Sequence, residues 1–201
     1  AAGREGGGAV LGRDRPRARG AAADARRLQL DRAVAARVAV AIPPAVRGRG
    51  GGVGAGALDA GPVGAALRAG PLSVGYTRYD GKHHFGPELQ FGHVIGDFLE
   101  NEVLIVKTAW GGKSLYVDFL PPSSGGTTGP YYTLMIEQVR EALANIKRDF
   151  PQSKAEGYEL AGLVWYQGWN DGCDPKHAIP EYERNLVNLI RDVRKDLGVP
   201  N

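Results

Sequence analysis

Residues 160–172 read LAGLVWYQGWNDG. Leu160 to Trp165 form a short apolar run of strand length, predicted as a buried parallel strand. Gln167 to Asp171 then bring glycine, amide and acid side chains together, the composition of a loop leaving the strand's carboxyl end. Val103 to Thr108 (VLIVKT) repeat the arrangement, with Trp110, Gly111 and Gly112 after the strand.

Three helices are predicted around these strands. One begins near Pro87, with Leu89, Val94, Ile95, Phe98 and Leu99 as its apolar face. A second begins at Pro130, with Tyr132, Ile136, Val139, Leu143 and Ile146 inward, and ends at Phe150-Pro151. A third begins at Pro180, carries Tyr182, Leu186, Leu189, Ile190, Val193 and Leu197, and stops at Gly198 and Pro200. Proline suits a first helical turn, and glycine a helix end. The order helix–strand–helix–strand–helix implies an α/β fold with a parallel sheet. Two strands do not make such a sheet, so further strands are expected before residue 73 and after Asn201.

Composition divides the chain at residue 72. The first 72 residues hold 12 Arg against 5 acids and contain no Ser, Thr, Asn, Lys, His, Cys, Met or aromatic residue. The remainder holds 13 basic against 17 acidic side chains. The net charge of +3 is therefore the sum of a basic and an acidic piece. The first piece reads as a low-complexity segment, disordered or translated out of frame: Gly-rich and without aromatics, it cannot offset chain entropy by burial. A Gly/Arg tract lacking stacking aromatics argues against nucleic-acid binding. The single Cys173 excludes an internal disulfide and a cysteine-rich metal site. No apolar run is long enough for a membrane helix, and no cofactor motif is present.

In open α/β sheets, ligands bind beyond the carboxyl ends of the strands. Two loops meet that condition, Trp110 to Ser114 and Gln167 to Asp171. In the second, Gly168-Trp169-Asn170-Asp171 is either a plain turn or a place where an Asn amide donates to a developing oxyanion.

The string LVWYQGWNDG, with WGGKSL at 110–115 and GPELQFG at 86–92, resembles the sialate O-acetylesterase family, carbohydrate esterase family six within the SGNH hydrolases. The resemblance runs from about Pro71 to Asn201. It implies a three-layer α/β/α, flavodoxin-like domain and a metal-free Ser–His–Asp hydrolysis of acetyl esters on carbohydrate. Gly112 fits the family's Gly-Gly block, whose backbone N–H faces the oxyanion. Trp165, Gln167, Gly168 and Asp171 match the block Trp-x-Gln-Gly-Glu-x-Asp, while Trp169 stands where Glu is common. Asn170 fits the wider superfamily's Gly-x-Asn-Asp and is the favoured side-chain oxyanion donor, with Gln167 second. Trp169 and Asp171 are expected to contact the sugar. The family's Gly-Gln-Ser-Asn nucleophile string has no counterpart here, and its final Asp-x-x-His block belongs beyond residue 201. The resemblance thus implies a truncated esterase domain whose Ser, Asp and His are not supplied at the expected places. A catalytically inactive, carbohydrate-binding remnant is the alternative.

Other residues invite chemistry less strongly. Asp174 and His177 have the Asp-x-x-His spacing, but early in the chain. Gly112-Lys113-Ser114 matches the end of a phosphate-binding loop, yet Lys107 stands where that motif needs its first Gly. Ser114 lacks the Gly-x-Ser-x-Gly elbow and reads as a loop or cap residue. His83 and His84 lack a metal-binding partner at the usual spacing. Glu88 suits the first turn of a helix, where the dipole favours an acid. Trp110 and Trp165 are expected in the core.

Overall fold

The computed structural model describes residues 37–42, 56–59, 68–76, 84–99, 101–153 and 155–199. His83 lies outside them. Five strands form one sheet: β1 (Arg37–Ile42), β2 (Gly56–Asp59), β3 (Arg68–Pro71), β4 (Glu102–Lys107) and β5 (Glu159–Val164), in the order β3-β2-β4-β1-β5. The helices are α1 (Glu88–Phe98), α2 (Pro130–Ala144), α3 (Ile146–Asp149), α4 (Trp169–Gly172) and α5 (Ala178–Leu197). A short 3-10 turn covers Pro122–Ser124.

The sheet is mixed, which corrects the expectation of a parallel one. β2 pairs β4 in parallel, whereas β1 is antiparallel to both of its neighbours, β4 and β5. The two strands that helices connect, β4 and β5, do run the same way, as a helical crossover requires. The antiparallel strand between them comes from before residue 73, where the sequence reading expected a further strand but found no pattern to place it. Strands β1 to β3 all fall within the stretch whose composition reads as low-complexity. Arg37–Ile42 reads RVAVAI, a β-branched alternation that a sheet accommodates.

Register sets the position of the site. Arg37 lies opposite Lys107 on one side and Val164 on the other. The carboxyl ends of β4 and β5 are therefore level, with one strand between them, and their loops leave the same end of the sheet.

Side chains of β4 alternate between two faces. Leu104 and Val106 pack with Val139 and Ala142 of α2 and with Ile146 and Phe150. On the other face, Ile105 lies against α1 at Gly92, where a Cβ would stand 2.7 Å from Ile105 Cδ1 and 2.4 Å from Leu72 Cδ2. The inward face of α1 is thus Glu88, Gly92 and Gly96, spaced four apart, while the predicted apolar positions Val94 and Phe98 are exposed. The small residues let the helix approach the strand, and larger side chains would not fit there. Ile190 of α5 is likewise exposed, and β5 is half-exposed rather than buried, because it ends the strand order and carries Ala161 and Gly162.

A second cluster joins α2 and α5 to the loop after β4: Trp110, Leu115, Phe119, Tyr132, Met135, Ile136, Leu189 and Val193. Full burial of a side chain such as Leu115 or Phe119 contributes on the order of 2 kcal/mol. The core thus sits directly beneath the two loops of interest. The end of α5 is capped at Gly198, with Val199 N–H donating to the Arg194 carbonyl at 2.9 Å.

Candidate active site

The loop after β4 is anchored by Trp110, which is buried against Phe119 and meets Tyr131 edge-on at 5.1 Å. Gly112 sits at the crest with φ +72°, a left-handed conformation that glycine adopts without strain, and a Cβ there would meet nothing within 4 Å. The turn then folds on itself. Ser114 N–H and Oγ–H donate to Asp118 Oδ2 at 2.9 and 3.2 Å, and Val117 N–H donates to Ser114 Oγ at 3.1 Å. Lys113 Nζ pairs with Asp118 Oδ1 at 3.2 Å and lies 4.3 Å from the Tyr131 ring centroid. Ser114 is therefore a capping residue whose hydroxyl is committed on both sides.

The loop after β5 starts from Trp165, which stacks edge-on against Phe119 with centroids 5.3 Å apart. The indole N–H of Trp165 donates to the Tyr182 hydroxyl at 3.3 Å, and that hydroxyl donates to the Gln167 carbonyl at 2.7 Å. Burial, with the nearby Asp171 charge, raises the Tyr182 pKa above its ordinary value, so the hydroxyl remains a donor. Tyr182 was assigned by sequence to an apolar helix face; its role in holding the loop carried no separate signal there.

The two loops are stitched together. Asp171 is 1% exposed, and its oxygens accept the backbone N–H groups of Leu115 and Tyr116 at 2.9 Å each. The Gln167 amide donates to the Lys113 carbonyl at 2.9 Å and to Asp171 Oδ2 at 2.5 Å. These bonds bury Asp171 between the two loops and engage both amide hydrogens of Gln167. A carboxylate and an amide one helical turn apart can bridge two loops only if both turn inward, and residue types alone do not show that direction.

The two expected oxyanion donors are among the groups that this clamp leaves unengaged. Neither the Gly112 N–H nor the Asn170 side-chain amide has a hydrogen-bond partner among the described residues. Asn170 is half-buried in α4, and the neighbouring Trp169 is 66% exposed. Tyr166 is also exposed on this loop.

Residues 67–201 match the family described as "Carbohydrate esterase, sialic acid-specific acetylesterase". The chain belongs to this family. No curated protein and no solved structure gives a match. Membership in this carbohydrate esterase family implies an esterase-type domain and an acetylated carbohydrate substrate, and the match spans both loops and the helices beneath them.

The remaining candidates separate clearly. Asp174 and His177 form a pair, with His177 Nδ1 3.0 Å from Asp174 Oδ1, at the entry to α5; the histidine is well exposed. Both lie after the Asn170 loop on the surface, where they close the turn leading into the helix: His177 N–H also donates to Asp174 Oδ1 at 3.1 Å. Glu88 is buried and accepts from Lys107 Nζ at 2.8 Å and from Gly86 N–H at 3.1 Å, so it fixes the start of α1 to the end of β4. His84 is exposed, and no group of three metal-ligating side chains occurs among the described residues. Trp110 and Trp165 pack in or against the core.

Proposed function

We propose that the chain is the oxyanion-binding portion of a carbohydrate O-acetylesterase of serine type, in a three-layer α/β/α, flavodoxin-like SGNH domain. In this mechanism a Ser alkoxide, generated by His, attacks the acetyl carbonyl, and water then deacylates the Ser. The Gly112 N–H and the Asn170 amide hold the tetrahedral oxyanion. Trp169 offers a sugar-stacking surface beside them. Asp171 and Gln167 act as positioning residues: they hold the Gly112 loop against the Asn170 loop.

The observation that carries this reading is that the clamp leaves both expected donors open. On the two loops, the donors of Leu115, Tyr116 and Gln167 are all spent on the clamp, while Gly112 and Asn170 are left facing no protein acceptor among the described residues. Oxyanion donors must be preorganised and unoccupied before substrate arrives.

The test is titration of isotopically labelled protein with acetate, the reaction's product anion, read by nuclear magnetic resonance. The Gly112 backbone amide and the Asn170 side-chain amide should shift together, and Asn170→Ala should abolish the Gly112 shift. Shifts confined to surface lysines would overturn the assignment.

A specific observation favours the second reading, a catalytically inactive carbohydrate-binding remnant. Ser114, the serine nearest the oxyanion donors in sequence, is committed to Asp118 and Val117, so no described serine stands ready on these loops.

A further inference from the structure

The peptide unit that joins Lys113 to Ser114, just after Gly112, is held at both ends. The Lys113 carbonyl accepts from the Gln167 amide at 2.9 Å. The Ser114 N–H, on the other side of the same plane, donates to Asp118 Oδ2 at 2.9 Å. A peptide plane is rigid, so two bonds on opposite sides leave it little freedom to rotate. Gln167 comes from the loop after β5, whereas Asp118 belongs to the loop after β4 itself.

Asp118 has further holds on the same stretch. Its Oδ2 accepts from Ser114 Oγ–H at 3.2 Å, and its Oδ1 lies 3.2 Å from Lys113 Nζ. Both residues that directly follow Gly112 are thus tied to one carboxylate. The backbone that carries this carboxylate is itself fixed. The Asp118 carbonyl accepts Tyr131 N–H, in the first turn of α2, at 2.9 Å. A Cβ at Gly129 would stand 2.3 Å from that carbonyl oxygen, so the close approach needs glycine there. The next residue, Phe119, is buried, and its N–H returns to the Ser114 carbonyl at 2.9 Å.

We propose that Asp118 is a positioning residue that aims the Gly112 N–H. The proposal rests on the oxyanion reading of Gly112 and deepens it. Asp171 and Gln167 hold the two loops together; Asp118 fixes the direction in which the chain leaves Gly112. Glycine at φ +72° has other backbone states open to it at little cost. The restraint on Gly112 therefore comes from its neighbours. The N–H groups of Leu115 and Tyr116 that Asp171 holds lie farther along the chain, while Asp118 grips the peptide next to Gly112. An oxyanion donor is useful only if it is aimed before charge develops. A bare carboxylate beside such a donor would repel the charge, and the ammonium of Lys113 offsets that repulsion.

The test is acetate titration of the full 201-residue chain, read by nuclear magnetic resonance well below the unfolding temperature, so that each variant is observed folded. Asp118→Ala should weaken acetate binding roughly tenfold, about the worth of one charge-assisted hydrogen bond. It should also move the ligand-free Gly112 amide resonance and leave the Asn170 side-chain resonance in place. Ser114→Ala removes the hydroxyl but keeps the N–H bond to Asp118, and should bind acetate within about twofold of the unsubstituted chain. Should Asp118→Ala fail to fold, Asp118→Asn carries the test: its single oxygen can replace Oδ1 or Oδ2 but not both, and acetate should weaken about threefold. A carboxylate with a structural role alone would lower the melting temperature and leave the acetate affinity of the folded protein unchanged. That result, or a loss in Ser114→Ala as large as in Asp118→Ala, would overturn the proposal. Failure of the oxyanion reading looks different: the unsubstituted chain would show no acetate response at Gly112 and Asn170, and the proposal would fall with it.

Discussion

The Asp171 carboxylate accepts the backbone N–H of Leu115, 56 residues earlier in the chain, at 2.9 Å, and both residues are buried. This bond, with its twin to Tyr116, fixes the distance between two loops that leave different strands. Hydrogen bonds to a charged acceptor contribute about 1.5–3 kcal/mol each, and a buried N–H left without one costs about as much. Asp171→Ala should therefore destabilise the protein by about 3 kcal/mol in urea unfolding. It should also increase exchange of the Leu115 and Tyr116 amides. A loss below roughly 0.5 kcal/mol would show that the loops hold together without the clamp.

The Lys107–Glu88 pair is expected to behave differently from a surface ion pair. Its side chains are 7% and 3% exposed, and Lys107 Nζ also donates to the Tyr76 carbonyl. Removing one partner of a buried pair leaves a charge stranded, at a cost of about 3–5 kcal/mol. Glu88→Gln and Lys107→Met should each fall in that range, and the double variant should recover part of the loss. A double variant as unstable as the sum of the singles would mean that the two side chains act independently.

Alkaline pH should loosen the core near α5. The Tyr132 hydroxyl is pushed well above its ordinary pKa of 10.0, first by burial and then by its 2.6 Å hydrogen bond to Asp196. Tyr182 is raised too, chiefly by burial. In both cases the folded state favours the protonated form, so the unfolded chain releases its proton first. The associated stability is complete below pH 10 and declines as pH rises beyond it. Unfolding midpoints between pH 8 and 11.5 should thus fall at the alkaline end, and Tyr132→Phe should flatten that decline. An unchanged slope in Tyr132→Phe would place the titrating group elsewhere.

Most of the helical framework and the positions of the two loops after β4 and β5 were legible because their signals are local. Pro130 opens α2 as expected, and the apolar runs at 103–108 and 160–165 each overlap an observed strand to within a residue or so. The loops after them carried glycine and amide side chains that pointed to Gly112 and Asn170. What was illegible depends on direction and partner. The inward face of α1 is marked by Gly92 and Gly96, which hydrophobic periodicity does not register, because a glycine seam attracts nothing and only permits approach. The antiparallel β1 was missed because strand direction is set by distant pairing, with no trace in RVAVAI itself. That Asp171 and Gln167 bridge the two loops was illegible because residue types do not show which way a side chain turns.

The polypeptide of residues 1–201 is expected not to hydrolyse aryl acetates above background. Donors in the role proposed for Gly112 N–H and the Asn170 amide stabilise charge on an oxygen, but they form no bond to the acetyl carbon. Covalent catalysis needs an activated nucleophile, and oxyanion donors do not replace it. Ser114 does not fill that role, because its hydroxyl proton is directed at Asp118 and its oxygen accepts from Val117. The Asp174–His177 pair has the polarity of a triad's acid and base but lies on the exposed turn before α5. Aryl acetate turnover should be measured with and without a serine-directed organophosphonate, followed by mass analysis of the treated protein. No turnover and no adduct are expected. Turnover abolished by the reagent, with the phosphonate mapped to Ser114, would show that the 114–118 turn opens to release the hydroxyl, and the capping role assigned to Ser114 would fail.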